Sequence, residues 1–445
     1  MKTSAMRFVL TVTVVALVLV TALVLVRAAG AAQEQALVIR GGRVHTMVDE
    51  RAIDDGTVVI RNGHIVAVGG PETGIPAGAQ VIDASGLHVF PGFFDAVTRL
   101  GLTEIGAVAV TSDFRELGKN NPQLRGATAV HPASEILPVS RSNGLTHAVA
   151  APDGPGIAGQ GSLIHLDGWT VEEMLITDGV YMAVQWPTVQ TRGRDRATRR
   201  PINRTYREAK DLYDESVADL ESLLADARRY AAADVGDDPT RRNLKLEALA
   251  RVAGGELPML ITVNTERGIG DAVDFAERSD VSIIIAGGRD AWKVAGMLAD
   301  KDIPVILGPT QAVPGGDDPY DAPFAAPGKL RDAGVRFAIS TFNASAARTL
   351  PYEAAQAVPF GLSHHDALRA ITTSPAEILG VDDQLGTLEV GKLANLLVSD
   401  GDPLETTTQI EHVIIAGLAI DPKDNKHDRL YERYSGRPRR TGEQR

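Results

Sequence analysis

No cysteine occurs anywhere in the 445 residues. That absence removes disulfides, thiolate metal sites and cysteine nucleophiles together. Histidine is scarce and unevenly placed. There are ten in all, and none lies between His165 and His364. Zinc and iron sites draw mainly on imidazole and thiolate, so this long interval can offer a metal only oxygen ligands. Three reaction plans lack their motifs: there is no Gly-x-Ser-x-Gly elbow, no P-loop, and no Gly-x-Gly-x-x-Gly that opens a helix after a strand. Gly159-Gln160-Gly161-Ser162 is a loop fragment, not a nucleophile elbow. Cationic excess is missing too. The formal charge of −12 argues against a nucleic-acid partner.

What is present reads as globular. Apolar residues make up 44% of the chain, too many for a disordered one, and the length suffices for one large core or a core with a satellite. One long apolar run stands at the start, Phe8 to Val26. Lys2 and Arg7 precede it, and Ala28-Ala29-Gly30-Ala31-Ala32-Gln33 follows. The pattern predicts a signal peptide or an N-terminal membrane anchor over 1–32. Both place the folded part outside the cytoplasm, periplasmic or secreted, with the membrane touched only through this segment.

From residue 36 to 88 the chain reads as short strands: Ala36–Arg40, Thr57–Ile60, Ile65–Val68 and Val81–Ala84. An Asn62-Gly63 turn joins the second and third. Further on, strands alternate with helical patterns, the mark of a parallel α/β barrel. Strands are predicted at Thr146–Ala150, Tyr181–Trp186, Pro258–Val263, Val281–Ala286, Ile303–Leu307 and Val335–Ser340. Helices are predicted over Glu208–Ala233, Arg242–Ala253, Asp271–Ser279, Trp292–Asp300, Ala344–Ala357 and Ser363–Leu379. Asp153 to Gly161 reads as a Gly-rich loop. Arg192 to Arg207 is arginine-dense, a solvated loop or an anion-attracting lid. Residues 421–445 read as a flexible tail.

Two stretches carry a resemblance. Val89-Phe90-Pro91-Gly92-Phe93-Phe94-Asp95-Ala96-Val97-Thr98-Arg99-Leu100-Gly101 resembles the signature that opens the barrel of the amidohydrolase superfamily, Asp-Ala-His-x-His-hydrophobic-Gly after a Pro-Gly turn. Leu385 to Val398 resembles that family's closing stretch, with Asn395 where its members usually carry Asp. The resemblance implies a (β/α)8 TIM-like barrel over 89–380, with a composite β-sandwich built from 36–88 and 381–420. It is nearest the imidazolonepropionase-like and dipeptidase-like branch, hydrolases of carbon–nitrogen bonds other than ordinary peptide bonds. Such enzymes use Zn, Mn or Fe. The family holds the ion by His-x-His on strand one, often Lys or Glu on strand four, and His on strands five and six, with an Asp on strand eight to take the water's proton.

In this chain Val97 and Arg99 stand in the two strand-one positions, Thr262 in the strand-five position and Phe342 in place of the Asp. Strand six ends Ile285-Ala286-Gly287-Gly288, and strand four offers only Gln185. An isopropyl group has no lone pair, and a guanidinium is never deprotonated in proteins. No metal and no cofactor are therefore expected. Asp95, Arg99, Asn264 and Arg267, near Glu266, are expected to share a pocket at the old mouth. Arg99 there either pairs with an acid or faces a ligand. His147, His165 and Asp153 are a further candidate cluster. His364-His365 reads as the start of a helix, and His131 has no assigned role.

The resulting expectation is an extracytoplasmic pseudo-hydrolase that binds a small molecule or a partner, either a catalytic paralogue or another copy of itself. The alternative is an active C–N hydrolase of cyclic amides or dipeptides, working through an unrecognised or metal-free site.

Overall fold

The computed structural model describes residues 36–194, 200–233 and 242–437. The N-terminal apolar run falls outside them. The first sheet begins with β1 (Leu37–His45), β2 (Ala52–Arg61), β3 (His64–Gly69), β4 (Gln80–Asp83) and β5 (His88–Pro91). β1 to β3 form an antiparallel meander, and Asn62-Gly63 is the two-residue turn between the second and third. The chain then enters the second sheet through β6 (Phe93–Thr98), β7 (Leu145–Ala150), β8 (Gly156–His165) and β9 (Leu175–Gln185). A small ribbon of β10 (Arg192–Arg194) and β11 (Pro201–Asn203) spans the arginine-dense segment, part of which lies outside the described residues. β12 (Met259–Val263), β13 (Ile283–Gly287), β14 (Val305–Leu307) and β15 (Phe337–Ile339) follow, each pairing in parallel with the one before. β16 (Leu396–Ser399), β17 (Ile410–Ile415) and β18 (Leu418–Ile420) return to the first sheet, where β16 pairs with β5. Each sheet has eight strands, and the second is a nearly closed barrel in the order β15-β14-β13-β12-β9-β8-β7-β6.

One strand departs from the all-parallel expectation: β8 runs antiparallel to both β7 and β9. The cause is chain length. Only residues 151–155 separate β7 from β8. A parallel return needs about a dozen residues or more, so a hairpin is the one connection available. The stretch read as a Gly-rich loop is thus largely the first half of β8. Its glycines serve close packing: a Cβ on Gly161 would meet the Tyr181 ring at 2.5 Å.

Three apolar layers hold this together. Phe94, Val149, Leu163, Tyr181, Leu260 and Ile306 fill the barrel interior. Phe93, Leu145, Ile261, Ile285 and Phe275 pack between strands and outer helices. Ile39, Val58, Val89, Leu396 and Ile414 form the core of the first sheet. Each fully buried aliphatic or aromatic side chain contributes about 1.5–3 kcal/mol. The helix Tyr206–Ala232 begins at a capping box of Thr205 and Glu208. The predicted flexible tail instead carries the helix Lys426–Ser435. Its cap, Asn425, is buried and accepts from the backbone N–H of His427 and Asp428, which fixes the first turn. Arg429 then ties the helix to Glu135.

Candidate functional site

β6 determines the geometry. All six of its side chains are buried, and it meets β15 through side chains and through the backbone just past the end of β15. Ser340 Oγ accepts from the N–H of Val97 at 2.9 Å and donates to the Asp95 carboxylate. Thr341 gives Asp95 its N–H at 3.1 Å and its hydroxyl as well. Phe342 N–H donates to Val97 O at 2.9 Å. This seam closes the barrel, and Asp95 is its centre. Burial pushes the Asp95 carboxyl up to about 7, against the pull of the Ser340 and Thr341 donors. Tyr181 is fully buried and donates to Ala96 O at 3.2 Å. Burial, and then the Asp95 carboxylate, push its phenol well above the usual range.

At the end of this seam Val97 belongs to the barrel's interior apolar cluster, and Phe342 packs against it. Phe342 sits at φ 53°, in the left-handed region that a bulky side chain rarely adopts. Its backbone bond to Val97 and its side-chain packing hold it there. Thr262 lies on β12, and its carbonyl accepts from Gln185 Nε2 and Trp186 N–H, both at 3.2 Å.

Arg99, one residue past β6, turns out to the rim. Its guanidinium donates to Asp153 Oδ2 at 2.8 Å and lies 4.2 Å from the centre of the Phe114 ring. Arg115 donates to the same oxygen at 2.8 Å. Of the two readings of Arg99, the acid partner is therefore present. Phe114 and Arg115 gave no signal in the sequence, because a long loop brings them in with no period or motif to mark them.

The four residues expected to share one pocket are not brought together. Asp95 is sealed inside the seam. Asn264 turns toward the β13 end, where its Oδ1 accepts from Arg289 N–H at 3.3 Å. Arg267 lies on the helix Glu266–Ser279, 3.9 Å from Asp271, and lines an outer groove with Lys210, Tyr213 and Glu221. The cause is helical geometry: Arg267 starts a helix that turns away from the strand tip.

His147, His165 and Asp153 are also separated. His147 and His165 face each other across β7 and β8, but at the opposite end of the barrel from Asp153. Asn395 joins them there. Its Nδ2 lies 3.1 Å from His165 Nδ1 and 3.4 Å from His147 Nδ1, and its Oδ1 accepts from Ala416 N–H at 2.8 Å. Gly92 N–H donates to Asn395 O, which pins this group beneath the start of β6. Gly92 is required at that point, since a Cβ would meet Thr146 Oγ1 at 2.0 Å. Burial pushes His147 down to about 3, with His165 adding to the effect, and pushes His165 down to about 4. Among the described residues, the buried His147 Nε2 has no hydrogen-bond partner. His364 starts a short helix as expected and pairs with Asp402 at 2.6 Å. Among the described residues no group of three or more His, Asp or Glu is arranged to hold a metal ion.

The relatives agree with this architecture. A family model described as "Amidohydrolase family" matches residues 324–421. Amidohydrolase tasK of Hapsidospora irregularis is 25% identical over 400 residues, 82% of this chain. The alignment spans only 40% of that protein's length. Among solved structures, an amidohydrolase from Thermotoga maritima MSB8 superposes with a TM-score of 0.76 at 25% identity, covering 86% of this chain and 99% of that one. A putative prolidase from Bifidobacterium longum shares the fold, with a TM-score of 0.53 at 18% identity over 87% of this chain and 94% of that one. Two signatures, a nearly closed barrel beside a second sheet, and these relatives together make the chain similar to proteins of the amidohydrolase superfamily.

Proposed function

We propose that this protein is a barrel of the hydrolase lineage that binds a small ligand at its rim and no longer holds the divalent ion of its family. The observation that carries the reading is the pairing of Val97 with Phe342 at the junction of strands one and eight. Two apolar side chains occupy positions that would have to present an imidazole and a carboxylate. Thr262 adds one hydroxyl, and Arg99 adds a cation that is already bonded to Asp153. Such a donor set does not fit Zn, Mn or Fe. Without the ion there is no Lewis acid to polarise a carbonyl and no water of lowered pKa. Asp95 does not replace it, because a carboxyl sealed among Ser340, Thr341 and β6 has no path to a substrate. On the same reading the N-terminal apolar run supports a location of the barrel outside the cytoplasm.

Metal analysis of the purified full chain is the direct test, with assay of dipeptide and cyclic-amide hydrolysis alongside. The expected result is no stoichiometric metal and no turnover above a heat-denatured control. One or two equivalents of EDTA-sensitive Zn, Mn or Fe, with turnover that follows the metal, overturns the proposal.

A further inference from the structure

The loop from Gly101 to Val130 is stitched to the strand tips. Phe114 O accepts from Asp153 N–H at 2.8 Å, and Leu124 O accepts from Gln160 N–H at 2.8 Å. Between this loop and Pro152 lies a cavity of about 180 Å³. A cavity of about 150 Å³ accepts benzene, whereas drug-sized ligands need roughly 300 Å³ or more. The space therefore suits a molecule the size of an amino acid.

The charges around it do not cancel locally. Arg99 and Arg115 share one oxygen of Asp153, so a single carboxylate answers two guanidiniums. Arg125, also on the wall, is matched by Asp178. Asp113 and Glu116 line the same cavity, and neither makes an ion pair among the described residues. Most of the remaining wall is apolar, with Leu102, Leu124 and Phe114 beside the hydroxyl-bearing Thr128. A half-answered guanidinium, two unpaired carboxylates and an apolar wall within one small cavity are the complement of a zwitterion. Guanidinium recognises carboxylate through charge-assisted, often bidentate hydrogen bonds, and carboxylates recognise ammonium in the same way.

We propose that this cavity binds a free α-amino acid with a small apolar side chain. Its carboxylate lies against Arg115, its ammonium against Asp113 and Glu116, and its side chain against Leu102 and Leu124. The inference rests on reading the rim as a ligand-binding surface, and it names the ligand class.

Calorimetric titration of the full chain with L-valine, N-acetyl-L-valine and L-valinamide tests it. Valine is expected to bind, and each capped form at least tenfold more weakly, since each lacks one of the two charges. Arg115→Gln and the double variant Asp113→Asn, Glu116→Gln are each expected to weaken valine binding at least tenfold. These positions are exposed, so the variants should stay folded, with only a small fall in the unfolding midpoint of Arg115→Gln from the loss of its pair with Asp153. No heat with valine, equal binding of all three probes, or unchanged affinity in both variants overturns the inference. The metal question separates cleanly: stoichiometric zinc with intact valine binding defeats the metal-free reading alone, and a metal-free protein that ignores valine defeats the zwitterion alone.

Discussion

Two sets of buried ionisable groups lie close together along the barrel strands, Asp95 beside Ala148 and so one residue on from His147, and are handled differently. At the floor, beneath the start of β6, the imidazoles of His147 and His165 are buried against Asn395. At the seam nearer the tips, the Asp95 carboxyl is buried with three donors around it. The resemblance to the amidohydrolase signature led to an expectation of imidazole at the tips. Here imidazole is found at the floor, and the tips carry Val97 and Phe342. A histidine on a barrel strand therefore says little until its place along the strand is known. At the floor it fills the junction with the first sheet; at the tip it would meet substrate.

The imidazoles and the Asp95 carboxyl should respond to pH with opposite sign, and the imidazoles should respond most. His147 and His165 titrate near 3 and 4 in the folded protein, below the unfolded value of about 6.5. Below pH 6.5 the unfolded chain takes up protons that the folded chain refuses. Stability is then fully present above about 6.5 and is lost as pH falls toward 4 and 3. At about 1.36 kcal/mol per unit, the pair is expected to cost several kcal/mol across that window. Urea unfolding between pH 7 and 4 measures it. In the double variant His147→Gln, His165→Gln the acid slope should flatten markedly. An identical slope in the variant means the imidazoles are hydrated, which removes the contrast.

The seam is expected to show the reverse, with a smaller amplitude. Asp95 titrates near 7 when folded, above its ordinary value of 3.8. Its contribution is fully present below 3.8 and is lost as pH rises toward 7, on the order of a few kcal/mol. Asp95→Asn is expected to gain relative stability as pH rises through that window. A variant that loses ground equally at pH 4 and pH 7.5 shows instead that Asp95 stays ionised and is held by its donors.

Asn395→Asp joins the two themes by placing a carboxylate between the imidazoles. An adjacent anion favours the protonated ring. The His165 titration, followed by NMR, should move up from about 4 by roughly a unit or more. No movement would mean that the Asn395 contact at 3.1 Å does not persist in solution.

Much of this was legible in the chain because it rests on local rules. The Asn62-Gly63 turn, the apolar runs of β12 and β13, and the Pro91-Gly92 entry to β6 each carry their cause in a few adjacent residues. The resemblance supplied the barrel. What stayed hidden depends on distance in sequence. Ser340 and Thr341 find Asp95 across 245 and 246 residues, and no pattern in β6 announces them. The direction of β8 was readable in principle, from the shortness of residues 151–155, but its glycines masked the strand. Arg267 was misplaced because adjacency to a strand tip does not decide which face of the next helix a side chain takes. Asn425 shows the same limit at small scale, since one buried cap turns a polar stretch into a helix.

The smallest effect is expected at the rim, and its size is the informative part. Arg99 pairs with Asp153, but its side chain is 37% exposed and Asp153 keeps Arg115 if Arg99 is lost. An ion pair in contact with water contributes about 1 kcal/mol or less, and a guanidinium over an aromatic face adds a similar amount. Arg99→Gln should therefore lower stability by roughly 1 kcal/mol, less at high salt, where exposed pairs are screened. Breaking a buried pair costs about 3–5 kcal/mol and is nearly blind to salt. A loss of that size in Arg99→Gln would mean that the guanidinium seals the barrel as Val97 and Phe342 do. The rim would then be part of the closed interior, with no surface left for a ligand to reach.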